Sequence, residues 1–194
     1  MLDLNYQYRY NNGLKFLPQY LCMDTQTVPS TNLSNPITVG YDGNKNKKGV
    51  KRTIITDEYG FITDVNHYPA NRNDSWIGNE MLREFVINNH YDYNETKEIY
   101  IDNIFGGKCF ETCEKLGITP VQHKNQKDVF ALAGYFHNES VNKSFFLHPK
   151  RWVVERQFAN IGHCRRLKVH YERTVESANS FCMLAQIRLL LNNL

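Results

Sequence analysis

Short apolar runs alternate with polar stretches along the chain, and their spacing predicts the secondary structure. Runs of β-branched and aromatic residues predict five strands, at residues 19–23, 50–56, 61–67, 98–101 and 118–122. Apolar positions at helical spacing predict four helices, over residues 74–88, 105–116, 149–166 and 175–191. The stretch 25–48 contains prolines and glycines and is predicted to be a loop, and residues 123–142 show no clear pattern.

Local signals mark where several of these elements begin and end. Residues 57–60 (DEYG) predict the turn of a hairpin between the second and third strands. Asp74 is expected to cap the first helix, and Pro149 suits the first turn of the third. Gly117 is placed to close the second helix.

Three strands followed by alternating helices and strands predict an α/β fold, in which a mixed five-stranded sheet carries helices on its faces. Residues 19–194 are expected to form this domain, and residues 1–18 a lead-in segment. In such sheets, functional residues gather at the carboxyl ends of the strands.

Composition agrees with a single folded domain. The chain has 194 residues, of which 41% are hydrophobic, and no apolar run reaches the roughly 20 residues of a membrane span. The first residues lack the pattern of a signal peptide, so a soluble cytoplasmic protein without membrane contact is expected. The five scattered cysteines predict reduced thiols, with Cys109 and Cys113 facing the core.

Basic residues are concentrated in two stretches, although the net charge is only +3. Residues 43–52 contain five Lys or Arg and no acid, and residues 143–173 contain eight against two Glu. Such stretches favour a polyanionic partner such as nucleic acid, but a charge run is also typical of a solvated face.

Three acids stand out as candidate metal ligands: Asp24 and Asp102, which follow apolar strands, and Glu155, inside a predicted helix. Burial of a carboxylate at a strand end is costly unless the charge is paired or binds a metal. Three converging carboxylates would bind hard divalent cations. The alternative is structural: the two aspartates are turn residues, and Glu155 forms a salt bridge with Arg151.

Ordered strings then resemble the DDE transposases of bacterial insertion sequences, most of all the branch that contains insertion sequence five. MDTQTV at 23–28 resembles a segment that carries the first acid, and IDNIFGG at 101–107 one that carries the second. RWVVER at 151–156, followed by RRL and YER, resembles the segment that carries the glutamate. Further matches are GYD at 40–42, GVKR at 49–52, TDEYGF at 56–61 and YPANRND at 68–74.

The resemblance runs from about Gly13 to Leu194 and implies a ribonuclease-H-like fold, with Asp24, Asp102 and Glu155 as catalytic and metal-binding residues. It implies two Mg²⁺ or Mn²⁺ ions, and cleavage and strand transfer at insertion-sequence ends. It also implies a homo-oligomer on DNA, associated with the bacterial nucleoid. Candidate DNA-binding residues are Lys45, Lys47, Lys48, Lys51, Arg52, Arg151, Arg156, Arg165 and Arg166.

The chain departs from the family pattern in places. Asn103 and Ile104 replace the usual residues after the second acid, and Asn160 stands where tryptophan is usual. The flanking tyrosine and basic residue of wider relatives fall on His148 and Gly162, so those roles are not transferred. Arg151, four residues before Glu155, either contacts a phosphate or holds Glu155 in place.

About twenty residues precede Asp24, too few for a separate end-recognition module. We therefore expect end selection to need the product of an upstream reading frame. The competing function is a truncated, inactive remnant that binds DNA nonspecifically, and a weaker one is a purely hydrolytic nuclease.

Overall fold

A computed structural model describes residues 2–88, 95–122 and 150–193. In these ranges the helices and strands alternate along the chain much as the sequence predicts. In order they are α1 (Leu2–Asn11), β1 (Tyr20–Pro29), β2 (Gly40–Asp42), β3 (Lys47–Asp57), β4 (Ile62–Pro69), α2 (Asp74–Asn88), β5 (Glu98–Ile101), α3 (Lys108–Lys115), β6 (Thr119–Gln122), α4 (Trp152–His163), a 3₁₀ turn (Arg165–Leu167) and α5 (Val175–Leu191).

The strands form one mixed sheet in which β1 is central. It pairs antiparallel with β3 and parallel with β5, and β6 continues the parallel part beyond β5. β4 and the short β2 both pair antiparallel with β3. The predicted α/β fold, a mixed sheet with flanking helices, is confirmed, with β2 as a sixth strand.

Alternation along the strands creates a hydrophobic core on each face of the sheet. Met23 and Ile101 point to one face, where they pack with residues of α2 and α3 such as Phe85. Cys22 and Tyr100 point to the other face, which α4 and α5 cover. Residues adjacent in a strand therefore belong to different cores.

The predicted loop over residues 25–48 is wrong in part. β1 continues to Pro29, β2 lies within the stretch, and β3 already begins at Lys47. The second half of β1 is polar, but its backbone pairs with β3 residue by residue, and the hydroxyls of Thr25 and Thr53 lie 2.9 Å apart. Backbone pairing thus sustains a strand that the apolar pattern alone does not predict.

Two predicted helices are shorter in the structure. α3 begins at Lys108 because Gly107 has a φ of +57° and Phe105 is instead fully buried in the core beside α2. The helix predicted over 149–166 is α4, which ends where Cys164 turns to an extended conformation before the 3₁₀ turn. Pro149, His148 and residues 123–142 lie outside the described ranges.

The lead-in segment contains a helix, α1, that the sequence pattern does not reveal. Its Arg9 is almost fully buried and forms ion pairs with Asp57 at 2.5 Å and Glu58 at 3.0 Å. Tyr8 packs edge-on against Phe61, with ring centroids 4.7 Å apart. These contacts attach α1 to the β3–β4 hairpin.

The hairpin is as predicted, but the cap of α2 is not. The Asp57 carboxylate accepts hydrogen bonds from the backbone N–H groups of Tyr59 and Phe61. The side chain of Asn73 accepts from the N–H of Ser75 and so caps α2 in place of Asp74. Asp74 instead pairs with Lys51 at 3.0 Å.

Cys109 and Cys113 are fully buried in the core, as predicted. Among the residues that the structure describes, no helix combines the length and apolar character that crossing a lipid bilayer requires.

Candidate active site

Asp24 lies in the middle of the sheet, and not at a strand end as expected. Its backbone pairs with Ile54 of β3, and β5 ends beside the preceding residue, Met23. Alternation directs its side chain to the face that α4 covers, as it does for Cys22. The backbone around this carboxylate is therefore fixed by neighbouring strands.

Asp102 directly follows β5, as predicted for a residue at a carboxyl strand end. One of its carboxylate oxygens accepts from the N–H of Asn103 at 2.6 Å, and its carbonyl accepts from the N–H of Phe105 at 3.0 Å. Gln122, at the end of β6, donates to the Phe105 carbonyl at 2.7 Å. This loop holds Asp102 at the sheet edge with its side chain 44% exposed.

Glu155 lies in the first turn of α4, which packs on the same face of the sheet through Val154 and Phe158. The Cys22 thiol donates a hydrogen bond to the Lys150 carbonyl at 3.3 Å. This contact attaches the start of α4 to β1, so Glu155 and Asp24 are carried by elements in direct contact.

Arg151 connects the two aspartates. Its guanidinium reaches Asp24 at 3.4 Å with one terminal nitrogen and Asp102 at 3.6 Å with the other. The sequence left two roles open for this arginine, a phosphate contact and support of Glu155. Its ion pairs in the structure are with the aspartates.

The charges of this group affect one another. Burial raises the pKa of Asp24 to about 6, and the negative charges of Asp102 and Glu155 add to this, against the lowering effect of Arg151. Burial also raises the pKa of Glu155, and Asp102 again contributes. All three carboxylates are therefore near enough to interact electrostatically.

The donors suit a hard divalent cation, because carboxylate oxygens are what Mg²⁺ and Mn²⁺ prefer. The three carboxylates are further apart than the ligands of an assembled metal centre. Within residues 2–88, 95–122 and 150–193, no three His, Cys, Asp or Glu side chains converge closely enough to hold an ion. The guanidinium of Arg151 contacts the two aspartates instead.

A cleft of about 280 Å³ opens beside Asp24 and Asp102. Of its other walls, the sequence singled out Lys45 and Lys51 as candidate DNA-binding residues and Asp74 as a helix cap. Thr25, Thr27 and Asp42 lie in the stretch predicted to be a loop and were included only within the family resemblance. The lining residues besides the two aspartates include Thr25, Thr27, Asp42, Lys45, Lys51 and Asp74.

The candidate DNA-binding residues of the first basic stretch divide into two groups. Lys45, Lys47 and Lys48 are exposed around the β2–β3 turn, and Lys45 lines the cleft. Lys51 and Arg52, by contrast, are buried, although Lys51 also lines the cleft. Alternation turns both side chains into the protein, where Lys51 meets Asp74 and Arg52 donates to the Leu167 carbonyl at 2.9 Å.

Most basic residues of the second basic stretch that lie within the described range 150–173 are exposed. Arg156 donates to the Tyr59 carbonyl at 2.7 Å and lies over the ring of Trp152, which is half exposed and not a core residue. Arg165 is exposed, and Arg166 pairs with Glu172 at 2.5 Å. Arg151 is the buried exception.

Comparison with protein families gives a match over residues 15–190 to the family described as the transposase DDE domain. Comparison with curated protein sequences gives no match. Among solved structures, the chain is similar to the catalytic domain of Mos1 mariner transposase, with 10% sequence identity and a TM-score of 0.41. The alignment covers 98% of this chain and 89% of that one.

Proposed function

Since this chain belongs to the transposase DDE domain family, we propose that it cleaves DNA at insertion-sequence ends and transfers the cut strand to a target, as in the branch that contains insertion sequence five. The observation that carries the proposal is that Asp24 and Asp102 both contact the guanidinium of Arg151. Glu155 follows Arg151 by one turn of α4. Acids with raised pKa values beside a cleft are a common feature of functional sites.

In this proposal Asp24, Asp102 and Glu155 hold Mg²⁺ or Mn²⁺, two ions in all. When bound, such a pair supplies activation of the attacking oxygen and stabilisation of the leaving 3′ oxygen at a phosphodiester. The fit rests on the donor chemistry and on the approach of two carboxylates to one cation, the Arg151 guanidinium. Movement of Arg151 and the Glu155 side chain has to complete the convergence.

The protein's own contribution is mainly positional. β1 fixes Asp24 between two paired strands, and the loop after β5 presents Asp102 at the edge of the cleft. The reacting groups of a phosphoryl transfer need alignment and charge neutralisation more than covalent help. Acids fixed by the sheet meet that need without reorganising during the reaction.

The DNA backbone is proposed to approach over the exposed lysines of the β2–β3 turn. Lys45 lines the cleft with both aspartates, and Lys47 and Lys48 follow it on the surface. Phosphate contacts of this kind position a duplex without reading its sequence. Arg156 and Arg165 are the exposed candidates from the second basic stretch.

The direct test is cleavage of supercoiled plasmid carrying an insertion-sequence end, in Mg²⁺ or Mn²⁺. Asp102→Asn keeps the shape of a half-exposed side chain and removes a charged ligand, so we expect cleavage to fall by about a hundredfold or more. Glu111→Gln, an exposed acid on α3, is the matched control and should cleave normally.

Unchanged cleavage by Asp102→Asn would contradict the assignment of the site. Salt-dependent DNA binding by the unaltered chain, with no cleavage in either cation, would instead identify the inactive DNA-binding remnant.

A further inference from the structure

Arg151 is a buried cation at the point where the proposed function requires a metal. Its side chain is 9% exposed, and its two terminal nitrogens face Asp24 and Asp102. Its remaining guanidine nitrogen, Nε, is buried and has no hydrogen-bond partner among the described residues. A buried donor without an acceptor is unfavourable, so the site holds this guanidinium less firmly than two ion pairs alone would suggest.

The ion pairs of Arg151 are also loose. They measure 3.4 and 3.6 Å, whereas charge-assisted hydrogen bonds of a guanidinium are typically about 2.7–2.9 Å. Arg9 provides the contrast within the same chain, with contacts of 2.5 Å to Asp57, 3.0 Å to Glu58 and 2.8 Å to the Lys15 carbonyl. Arg9 is held by three short contacts, whereas Arg151 is held by one long hydrogen bond to Asp24 and an ion pair with Asp102.

The backbone of Arg151 is better fixed than its side chain. Arg151 is the N-terminal cap residue of α4, its carbonyl accepts from the N–H of Val154, and the preceding Lys150 carbonyl accepts from the Cys22 thiol. The guanidinium can therefore leave the aspartates by side-chain rotation, while α4 stays in place and Glu155 remains beside the site.

We propose that Arg151 competes with divalent cations for Asp24 and Asp102, so that its guanidinium occupies the site in the metal-free protein and leaves it when a cation binds. This inference rests on the proposed function, because it takes the two aspartates as metal ligands. The physical basis is that both cations would bind the same two carboxylates, and two positive charges a few ångströms apart repel each other.

The competition partly neutralises the two aspartates and keeps them close together before metal arrives, at the expense of metal affinity. It also explains why the acids do not converge more tightly in the described structure: they are spaced around a guanidinium, which is wider than a metal ion. A released guanidinium beside the cleft is then available to a phosphate, the partner that the sequence first suggested.

The first experiment uses the unaltered chain without DNA. The Nε–Hε signal of Arg151 is followed by ¹⁵N nuclear magnetic resonance during a Mg²⁺ titration, with its assignment taken from Arg151→Lys. We expect the signal to shift with the same midpoint as metal binding, while the Nε–Hε signal of Arg9 stays in place. A stationary Arg151 signal at saturating Mg²⁺ overturns the inference.

The second experiment measures Mn²⁺ affinity by electron paramagnetic resonance, again without DNA. Arg151→Gln should bind Mn²⁺ tighter by about fivefold or more. Arg156→Gln removes one positive charge from an exposed position on the same helix and should change the affinity by less than about twofold, because exposed charges are screened. If both variants change the Mn²⁺ affinity equally, the loss of one positive charge explains the effect, and the proposed competition is contradicted.

Asp24→Asn separates this inference from the function on which it rests. If Mn²⁺ binding persists in Asp24→Asn at the original affinity, the ion binds elsewhere and the proposed function fails together with the inference. If Asp24→Asn loses binding but Arg151→Gln matches the unaltered chain, the metal site stands and only the competition is wrong.

Discussion

Lys51 and Arg52 are neighbours in β3, and their side chains are buried on opposite faces of the sheet. The Lys51 ammonium pairs with Asp74 at 3.0 Å and donates to the Arg72 carbonyl at 2.7 Å, which attaches β3 to the start of α2. The Arg52 guanidinium donates to the Leu167 carbonyl at 2.9 Å and to His67 at 3.2 Å. Two residues from a basic stretch thus connect the sheet to both helical layers.

Arg52→Ala should therefore weaken the fold and not DNA binding. The substitution leaves the Leu167 carbonyl without its donor and opens a cavity, so we expect the free energy of unfolding to fall by about 2–4 kcal/mol. Urea denaturation followed by circular dichroism measures this. Lys47→Ala, an exposed position in the same strand, should unfold within about 0.5 kcal/mol of the unaltered chain.

The same pair of variants should behave in the opposite way toward DNA. Lys47→Ala should bind a random duplex more weakly and reduce the slope of log affinity against log salt by about 0.9, the loss of one phosphate contact. Arg52→Ala should keep both values at a temperature where it is folded. If only Arg52→Ala reduces the slope of log affinity against log salt, Arg52 contacts DNA phosphate and the prediction is wrong.

Elements with an apolar face and clear end signals could be predicted from the sequence. The bounds of α5 agree with the prediction because Ala178, Cys182, Ala185 and Leu190 are buried at helical spacing and Thr174 caps the helix, accepting from the N–H of Ser177. The β3–β4 hairpin was similarly clear, since the DEYG turn separates two β-rich runs.

Elements that depend on partners distant in sequence could not be predicted. The polar half of β1 is a strand because β3 pairs with it, and α1 is attached through the ion pair of Arg9 with Asp57, 48 positions away. For the same reason a run of lysines and arginines does not reveal which members are exposed. The order of Asp24, Asp102 and Glu155 was readable from motifs, but the position of Arg151 against the two aspartates was not.

The ion pair between Arg9 and Asp57 predicts that α1 is needed for stability. Arg9→Ala leaves the Asp57 carboxylate buried without its counter-charge, and we expect a loss of about 3–5 kcal/mol. Adding Asp57→Asn should recover part of that loss, since a neutral side chain is less costly to bury. Asn12→Ala, at the exposed end of α1, is the control, and additive effects of Arg9→Ala and Asp57→Asn in a double-mutant cycle would rule out coupling.

Acid sensitivity should come in part from His67. Burial, with the Arg52 charge beside it, lowers the pKa of His67 to about 3 from an ordinary value of 6.5. The unfolded chain then binds one more proton than the fold between these values, so stability falls as the pH drops from about 6.5 toward 3. His67→Gln keeps polar atoms for Asn179 and Arg52 but does not titrate.

We expect His67→Gln to lose less stability than the unaltered chain between pH 6.5 and 4.5, measured by urea denaturation at each pH. His163→Gln removes an exposed histidine instead and should keep the original pH dependence. If His67→Gln shows an unchanged slope over this range, the buried imidazole is not the source of the acid sensitivity.

Asp24→Asn should make the metal-free protein more stable while removing its proposed metal site. Burial raises the pKa of Asp24 to about 6 in the fold, against 3.8 as its ordinary value, so the folded state binds the proton more tightly. Stability contributed by this group is therefore greatest at low pH and declines as the pH rises from about 4 to 6. Above pH 6 the cost of the buried charge is fully present, and an uncharged asparagine avoids it, a gain on the order of 1–3 kcal/mol.

Asp64→Asn is the matched control. Asp64 lies on β4, and burial, with the charge of Glu84, also raises its pKa to about 6. Both variants should melt higher than the unaltered chain at pH 8 and equally with it at pH 4, but only Asp24→Asn should lose Mg²⁺ binding. A lower melting temperature for Asp24→Asn at pH 8 would mean that its attraction to Arg151 outweighs the cost of burial.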